Sequence, residues 1–347
     1  MNDEFYEYCP RCQANLTLQK GYSNKLPCWE CRGCGEMLIN PVVDADDDIA
    51  WICDGCGEML NIQPGFSNNN GQWDCLLCGT TNKIDESEVY LSGDEYNIAM
   101  NDPYRGMSQQ DVLAIAEYEE VEPINGRQNV LLVSDSNDKL FVKKTLKNYD
   151  ASIYIYIMEN PVEYMPKVFA VYESKNHLVV IEEYIEGATL AEYLEDECLD
   201  QETAIYIAIR LCLILLNLHG GEHAIVHRDI KPSNIIIDSE GDVYLLDINA
   251  AKWYNPEQVE DTVLLGTRDY AAPEQLGYGS EASSPKTDVY ALGVLLNVMI
   301  TGTTPKKQKV DGPLSDIIDR CMNMEAKNRY STDELLRALA ELGGIYD

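Results

Sequence analysis

Apolar and polar positions follow different patterns before and after about residue 114. Before it, apolar residues are sparse and show no sustained period. After it, short alternating runs predict strands at 118–124, 129–134, 140–146, 168–172 and 178–183, a hairpin turn at 135–138 and one helix at about 150–159. From residue 187 onward the period is helical and predicts helices at about 189–197, 201–218, 285–300, 313–323 and 332–342. The pattern indicates a small, mostly antiparallel lobe followed by a helical lobe.

The longest apolar stretch lies between Thr203 and Leu218 and contains Arg210 and Asn217. It is too short to span a bilayer comfortably, so we interpret it as a buried helix and expect no membrane span. The first residues, 1–5, are acidic and lack the apolar segment of a secretory signal. We therefore expect a cytoplasmic protein in which the 12 cysteines stay reduced.

The chain has 59 acidic and 26 basic residues and a net charge of −33, with acidity spread along its whole length. A field of this sign disfavours binding to nucleic acid or to an anionic membrane surface. Solubility is the simpler interpretation of the charge, and attraction of a basic partner is the alternative.

Eight of the nine cysteines before residue 80 form a repeat with a period of 44 residues. Each unit has two Cys-x-x-Cys pairs with 18 residues between them: first Cys9, Cys12, Cys31 and Cys34, then Cys53, Cys56, Cys75 and Cys78. Trp29 and Trp73 occupy the same place, two residues before the second pair. Each unit thus supplies four thiolates, the closed shell of a structural metal site.

Each unit has about 40 residues and few large apolar side chains, so metal binding is expected to drive its folding. The units, at residues 1–44 and 45–84, resemble zinc ribbons, and we expect two structural Zn²⁺ sites. Iron in a rubredoxin-like shell is the alternative. Residues 85–112 are acidic and without sustained period, and we interpret them as a linker.

Cys28 breaks the repeat, because its counterpart is Gln72. It could replace Cys31 as a ligand, but Cys34 and the register of Trp29 would then go unexplained, so we interpret Cys28 as a spare thiol. The scattered cysteines are interpreted as small buried hydrophobes: Cys198, Cys212 and Cys321. Because the ribbons carry few cations, we favour a protein partner for them over nucleic acid.

The run from His227 to Asn234 reads His-Arg-Asp-Ile-Lys-Pro-Ser-Asn and brings together groups with different chemistry. Asp229 can accept a hydroxyl proton, Lys231 can neutralise a phosphate, and Asn234 can hold a divalent metal. Farther along, Asp247 closes an apolar run and offers a second metal-binding carboxylate. The order and spacing of these four side chains resemble the catalytic loop and metal-binding Asp of the protein kinases, of the bacterial Ser/Thr type.

Later landmarks agree with this resemblance. Thr267 precedes Ala-Pro-Glu at 272–274, as at the end of a kinase activation segment, and Asp288 stands where the family keeps a buried Asp behind the catalytic loop. The resemblance implies a buried ion pair between the Glu of this triplet and Arg329. Thr262 is a candidate phosphosite, with an ordinary loop threonine as an equal alternative.

The resemblance covers residues 113–347 and implies an α+β, two-lobed protein-kinase-like fold behind the two four-cysteine ribbons, with a small lobe at 113–186 and a large lobe at 187–347. ATP would lie between the lobes. Its adenine would meet the backbone near Glu183 and Ile185, and Val130 would cover it.

Lys144 is the strand lysine that the resemblance assigns to the α- and β-phosphates. In the family pattern a small apolar residue stands two positions before this lysine, on the same face of the strand. The resemblance therefore makes Val142 and Lys144 the inward pair and sends Lys143 to solvent, which favours Lys144 over its neighbour. The same alignment puts Glu182 at the back of the nucleotide pocket, where a carboxylate needs a partner.

Three departures from the family pattern stand out. The loop that should be rich in glycine has only Gly126, and the small-lobe helix has no Glu placed to pair with Lys144, Asp150 being the nearest acid. The Asp-Phe-Gly motif reads Asp-Ile-Asn at 247–249. These departures leave open a pseudokinase scaffold that binds nucleotide weakly or not at all.

The mechanism that the resemblance implies uses Asn234 and Asp247 to hold Mg²⁺ on the ATP phosphates. Asp229 would orient the substrate hydroxyl and accept its proton, and Lys231 would stabilise the transferring phosphoryl group. The leading hypothesis is a Ser/Thr protein kinase with a protein substrate, in which the ribbons serve recruitment or regulation. A small-molecule kinase of the same fold is a further alternative.

Overall fold

The structure is a computed structural model that describes residues 7–23, 28–35, 37–39, 51–61, 63–67, 71–84, 98–221, 223–257, 267–278 and 282–344. The chain divides into two compact units, Met1–Ile98 and Ala99–Asp347.

The first unit contains the two cysteine repeats, which have the same local structure. In each, an isolated β-bridge flanks the first cysteine pair, and an antiparallel hairpin flanks the second pair. The hairpin strands are β1 (Cys28–Glu30) with β2 (Met37–Ile39), and β3 (Gln72–Asp74) with β4 (Thr81–Lys83). A turn that points two thiols inward is thus held by backbone pairing on both sides.

The apolar core of each repeat is very small. Leu16 and Leu38 pack with two cysteines in the first repeat, and Leu60 and Ile84 do so in the second. Such a core supplies little burial energy, which agrees with folding that depends on metal.

A five-stranded antiparallel sheet forms the small lobe of the second unit, with strand order β5-β6-β7-β9-β8. Its strands are β5 (Glu119–Pro123), β6 (Val130–Ser134), β7 (Leu140–Leu146), β8 (Val168–Glu173) and β9 (Leu178–Glu183). Asp135 accepts backbone hydrogen bonds from Asn137 and Lys139 in the turn between β6 and β7. The predicted strands and hairpin are confirmed.

The two faces of this sheet have different neighbours. Leu146, Leu178 and Val180 face the helix α2 (Ala151–Glu159), which lies between β7 and β8 in the chain. Val133, Phe141 and Ile181 form a second buried cluster on the opposite face. Lys144 lies on the first face, because it is directly opposite Val180.

Lys143 lies on the second face, and the expectation that it points to solvent is wrong. It is only 5% exposed, and its ammonium lies 2.5 Å from a carboxylate oxygen of Glu120 on β5. Tyr118, just before β5, packs against the buried cluster of this face. The chain before the sheet also contains helix α1 (Gln109–Ile115), which is capped by Ser108. The Asn101 side chain accepts a hydrogen bond from Lys147, and the Arg105 carbonyl accepts one from the Lys175 amide.

The large lobe is mostly helical. Its helices are α3 (Leu190–Asp196), α4 (Gln201–His219), α5 (Pro285–Thr301), α6 (Pro313–Cys321) and α7 (Thr332–Gly343). Caps explain where several begin: Thr189, Asp200 and Ser331 each accept a backbone N–H of the first turn. The helices predicted from the sequence are confirmed.

Short strands flank the loops of this lobe. They are β10 (Ala188–Thr189), β11 (Ile225–Val226), β12 (Ile235–Ile237), β13 (Val243–Leu245) and β14 (Lys252–Trp253). β12 pairs with β10 and β13, and β11 pairs with β14. The segment 227–234 therefore runs from one small sheet to another, with both ends fixed.

Helix α4 is long and apolar enough to cross a membrane by length and composition alone, and it is the one such helix among the described residues. However, nine of its side chains are buried in the main core, including Leu211, Leu215 and Leu218. This burial agrees with the predicted core helix.

Helix α5 is buried along almost its whole length and crosses α6 closely at Gly293. A Cβ atom there would lie 2.6 Å from Cβ of Cys321, which is well inside contact distance. The absence of a side chain at Gly293 thus permits the close packing of α5 against α6.

Candidate active site and metal centres

Three polar side chains of the segment 227–234 converge on one point. The Lys231 ammonium lies 2.7 Å from Oδ2 of Asp229, and the Asn234 amide donates to the same oxygen at 2.9 Å and to the Asp229 carbonyl at 2.8 Å. Thr267, from a separate segment, donates its hydroxyl to Oδ1 of Asp229 at 2.8 Å and accepts from Lys231 at 2.9 Å. Asp229 is therefore held by donors on both oxygens.

These donors keep Asp229 ionised. Burial by itself would raise the pKa of Asp229, but the hydrogen bond and charge of Lys231 and the hydroxyl of Thr267 hold it below its ordinary value. The site thus places a fixed carboxylate, which can accept a hydroxyl proton, beside a fixed ammonium, which can bind an anion.

Asp288 of helix α5 holds the backbone that carries Asp229. Its two carboxylate oxygens accept the amides of His227 and Arg228, each at 2.8 Å, and one also lies 2.9 Å from Nε2 of His219. Asp288 is fully buried. Arg228 has a positive φ of 68°, so these hydrogen bonds stabilise a turn that a non-glycine residue seldom adopts.

Asp247 lies beside Asn234. The Leu246 amide donates to the Asn234 carbonyl at 2.8 Å, and His227 contacts the Leu246 carbonyl at 3.0 Å. Because the Asn234 amide nitrogen donates to Asp229, its side-chain oxygen is the atom left for a metal. An amide oxygen and the carboxylate of Asp247 are oxygen donors of the kind that Mg²⁺ binds, so the residues fit this ion.

Lys144 forms ion pairs with two acids from different parts of the second unit. Its ammonium lies 2.6 Å from Oε1 of Glu182 and 3.6 Å from Oδ1 of Asp247. Burial alone would lower the pKa of Lys144, but the charges of Glu182 and then Asp247 hold it above its ordinary value. The partner that the buried Glu182 requires is therefore the strand lysine itself.

Helix α2 offers a tyrosine to this region. Tyr154 is 1% exposed, and its hydroxyl donates to Oδ1 of Asn249 in the Asp-Ile-Asn motif. Asp150 lies at the start of the helix, where its carboxylate accepts the amide and hydroxyl of Ser152. Among the described residues, the ion pairs of the strand lysine thus involve no acid of this helix.

Of the residues expected around adenine, Glu183 and Ile185 lie where the chain leaves the small lobe, and Val130 begins β6. Val130 is directly opposite Lys144 in the β6–β7 pairing, so both are on one face of the sheet. The Glu183 amide donates to the Lys167 carbonyl at 2.8 Å, so the Glu183 carbonyl is the backbone group that this residue could offer adenine. Ile185 follows two residues after the end of β9 and is half-buried.

The loop between β5 and β6 is a compact turn. A 3₁₀ helix, Ile124–Gly126, fills it, and Gly126 has a φ of 69°. The Arg127 amide donates to the Ile124 carbonyl at 3.0 Å and the Val130 amide to the Arg127 carbonyl at 3.1 Å. These amides are used inside the turn, so they are not oriented as a phosphate cradle.

Glu274 and Arg329 form the buried pair expected from the sequence. Nη1 and Nη2 of Arg329 donate to the Glu274 carboxylate, at 2.6 and 2.8 Å, and the Arg329 side chain is fully buried. Thr287 also donates to Glu274 at 2.9 Å. This prediction is confirmed, while the candidate phosphosite Thr262 lies outside the described residues.

Each cysteine repeat brings four sulfur atoms together, all within 4.8 Å of one another. In the first repeat the sulfur atoms of Cys9 and Cys34 lie 3.5 Å apart and those of Cys12 and Cys31 lie 3.6 Å apart. In the second repeat the equivalent distances are 3.5 Å for Cys53–Cys78 and 3.7 Å for Cys56–Cys75. Four thiolates about 2.3 Å from a tetrahedral metal lie about 3.8 Å apart, whereas a disulfide needs about 2 Å. The groups therefore fit a tetrahedral metal, and the side chain of Cys28 lies outside the described part of the chain.

A glutamine supports each metal group, and the sequence reasoning missed both. Gln63 donates to Sγ of Cys75 at 3.3 Å, while its oxygen accepts the Trp73 indole N–H at 3.0 Å and the Leu76 amide at 2.9 Å. Gln19, 44 positions earlier, makes the same three contacts with Cys31, Trp29 and Arg32. The sequence contains a sign of this role, because a Gln stands at the same position in both repeats. The hydrogen bond from Gln63 is the leading cause that lowers the pKa of Cys75 to about 6.

The segment 227–234 held by Asp288 of α5, a buried strand lysine and a carboxylate after β13 occur together as in the two-lobed phosphotransferases of the kinase class. The family model for the protein kinase domain matches residues 133–312, just over half of the 347 residues. The chain belongs to the protein kinase family.

Three relatives illustrate this membership. Serine/threonine-protein kinase PAK 1 of Mus musculus is 29% identical over 185 residues, which are 47% of this chain and 33% of that protein. A probable serine/threonine-protein kinase of Clostridium perfringens is 30% identical over 178 residues, 44% of this chain and 25% of that protein. Serine/threonine-protein kinase D of Synechocystis is 30% identical over 195 residues, 50% and 37% respectively. The chain thus spans well under half the length of these curated relatives.

Proposed function

We propose that this chain is a Ser/Thr protein kinase that transfers the γ-phosphoryl group of ATP to a protein hydroxyl. The observation that carries this proposal is the convergence of Lys231, Asn234 and Thr267 on the ionised Asp229. A carboxylate fixed in this way can orient a hydroxyl and accept its proton. The relatives named as serine/threonine-protein kinases support the same reaction.

The remaining site residues have distinct roles in this proposal. Asn234 and Asp247 would hold Mg²⁺, which when bound neutralises charge on the phosphates. Lys144 would contact the α- and β-phosphates, and Lys231 would stabilise the charge on the transferring group. The adenine would meet the backbone at Glu183 and Ile185 beneath Val130.

We further propose that each cysteine group binds one structural Zn²⁺ and that the ribbons recruit a protein partner. Support comes from the four-sulfur geometry and the closed donor set, which leaves no ligand position for chemistry. A reducing, cytoplasmic location, in which thiols are free to bind metal, is part of the same proposal.

Phosphate transfer by the full chain tests the kinase proposal. The protein is incubated with γ-labelled ATP, Mg²⁺ and a basic protein acceptor, and labelled Ser, Thr and Tyr are separated after hydrolysis. We expect label on Ser or Thr, and a loss of about 10²- to 10⁴-fold in Asp229→Asn. Asp319→Asn, in an exposed ion pair with Lys309, is the matched control and should retain activity.

Two results would redirect the proposal. Equal labelling by the wild type and Asp229→Asn would remove the enzyme and favour a pseudokinase scaffold, to which the internal hydrogen bonds of the β5–β6 turn also point. Transfer to sugars or choline-like alcohols but not to protein would indicate a small-molecule kinase.

A further inference from the structure

The strand lysine of the proposed kinase site is positioned from within the sheet. We propose that Glu182, the penultimate residue of β9, is the positioning residue that holds Lys144 at the phosphates, in place of an acid on helix α2. This inference rests on the proposed kinase function. It is carried by the 2.6 Å ion pair, in which both side chains are more than nine-tenths buried.

The register of the sheet explains why the pair forms. Val142 is directly opposite Glu182, and Lys144 is directly opposite Val180. Glu182 and Lys144 are therefore diagonal neighbours on one face of two adjacent strands, within reach of each other's long side chains. Lys144 is on β7 and Glu182 is on β9, and these two strands are hydrogen-bonded to each other inside the sheet. The geometry of the ion pair therefore does not depend on where α2 lies.

The distribution of charge around the lysine supports the same assignment. Lys144 already has two anionic neighbours, Glu182 and Asp247. A carboxylate on α2 would put a third negative charge next to a single buried cation. Burying this unpaired charge would cost free energy. The helix instead contributes Tyr154, whose pKa is raised well above its ordinary value by burial and then by Glu182 and Asp247. The phenol therefore stays neutral and donates to Asn249.

Glu182 also determines where the Lys144 ammonium lies between its two acidic neighbours. With Glu182 present, the ammonium lies closer to Glu182 than to Asp247, at 2.6 against 3.6 Å. Without this acid, Asp247 would be its remaining ion-pair partner among the described residues, and the ammonium would move toward the proposed metal ligand. Such a displacement takes the lysine away from the α- and β-phosphates, and a misplacement of about 1 Å can cost about 100-fold in rate.

The same strand offers a second lysine–glutamate pair as a control, in which the glutamate side chain is 59% exposed against 8% for Glu182. Lys143, next in the chain, is also buried and forms a 2.5 Å ion pair with Glu120 on the opposite face of the sheet. Glu120→Gln therefore removes one carboxylate charge from a lysine pair in the same lobe, away from the proposed phosphate site. If Glu182 merely stabilised the fold, the two Glu→Gln changes would affect activity only through unfolding.

The experiment compares full-length wild type, Glu182→Gln, Glu182→Asp and Glu120→Gln. Phosphate transfer gives kcat and KM for ATP, and circular dichroism confirms that each variant is folded. An acyl-phosphate derivative of ATP, which acylates a lysine beside the phosphates, reports the position of Lys144 without turnover, and mass spectrometry identifies the modified residue.

We expect Glu182→Gln to lose about 100-fold in kcat/KM and most of the Lys144 acylation. Glu182→Asp, which keeps the charge, should recover a large part of both, and Glu120→Gln should match the wild type. Equal acylation and kinetics in Glu182→Gln and the wild type would overturn the proposal, as would equal losses in the Gln and Asp variants. If the wild type transfers no phosphate, the kinase function fails, but the acylation comparison still decides the role of Glu182.

Discussion

The pair between Arg329 and Glu274 provides the most direct test of what holds the large lobe together. We consider Arg329→Met, because methionine has a similar length and leaves little cavity. The change removes two charged hydrogen bonds to Glu274 and the donors to the carbonyls of Asn323 and Lys286. It also leaves a buried carboxylate without its cation.

Breaking a buried pair by removing one partner costs about 3–5 kcal/mol. The stability of a whole domain is about 5–15 kcal/mol, so the loss is a large fraction of the total. With a urea m-value of about 3 kcal/mol/M, the unfolding midpoint should fall by roughly 1 to 1.7 M. The measurement is urea unfolding of the full chain followed by far-ultraviolet circular dichroism. This signal mainly reports the second unit, because helices α1 to α7 all lie there.

Arg337→Met is the matched control. Arg337 forms a 2.8 Å ion pair with Asp333 one turn away on α7, and its side chain is 78% exposed. Exposed pairs of this kind contribute about 0.5 kcal/mol or less, so its midpoint should hardly move. Equal shifts for the two arginine variants would refute the reasoning. The double variant Arg329→Met with Glu274→Leu should regain much of the loss, since no buried charge is left alone.

Three further predictions concern the metal groups and a helix cap. Cys53→Ser should lower the zinc content measured by plasma emission from about two ions to about one per chain, because each group closes within its own repeat; finding iron or no change would contradict this. Gln63→Leu should weaken metal retention against a competing chelator by about 10- to 100-fold, whereas Gln72→Leu, exposed in the same repeat, should not. The Thr203 amide lowers the pKa of Asp200 at the start of α4. This stabilisation is therefore complete above the unfolded pKa near 3.8 and is lost as pH falls through the lower folded value. Asp200→Asn should remove this part of the acid dependence of α4 hydrogen exchange, and an unchanged profile would argue against it.

Much of the second unit could be predicted from the sequence because its signals are local. Strand alternation and helical period predicted the main elements, since each depends on which residues within about ten positions are apolar. The segment 227–234 is equally local, and its side chains converge because both of its ends join short strands. Glu274 and Arg329 are far apart in the chain, and only the family resemblance linked them.

The features that were missed depend on pairing between distant segments. The partner of Lys144 follows from the register of β7 against β9, which no single strand specifies. Lys143 is buried where Glu120 of β5 reaches its ammonium across the sheet. Alternation predicts the two faces of a strand but not what covers each of them.

The ion pair between Lys144 and Glu182 also has a consequence for inhibitor chemistry. In the proposed binding mode, a compound that extends an apolar group beyond the adenine site meets two buried charges rather than an apolar wall. Separating these charges to make room would cost several kcal/mol, which offsets what the added apolar contact contributes. Compounds that gain affinity from such an extension should bind this protein poorly, whereas compounds confined to the adenine edge should not be affected.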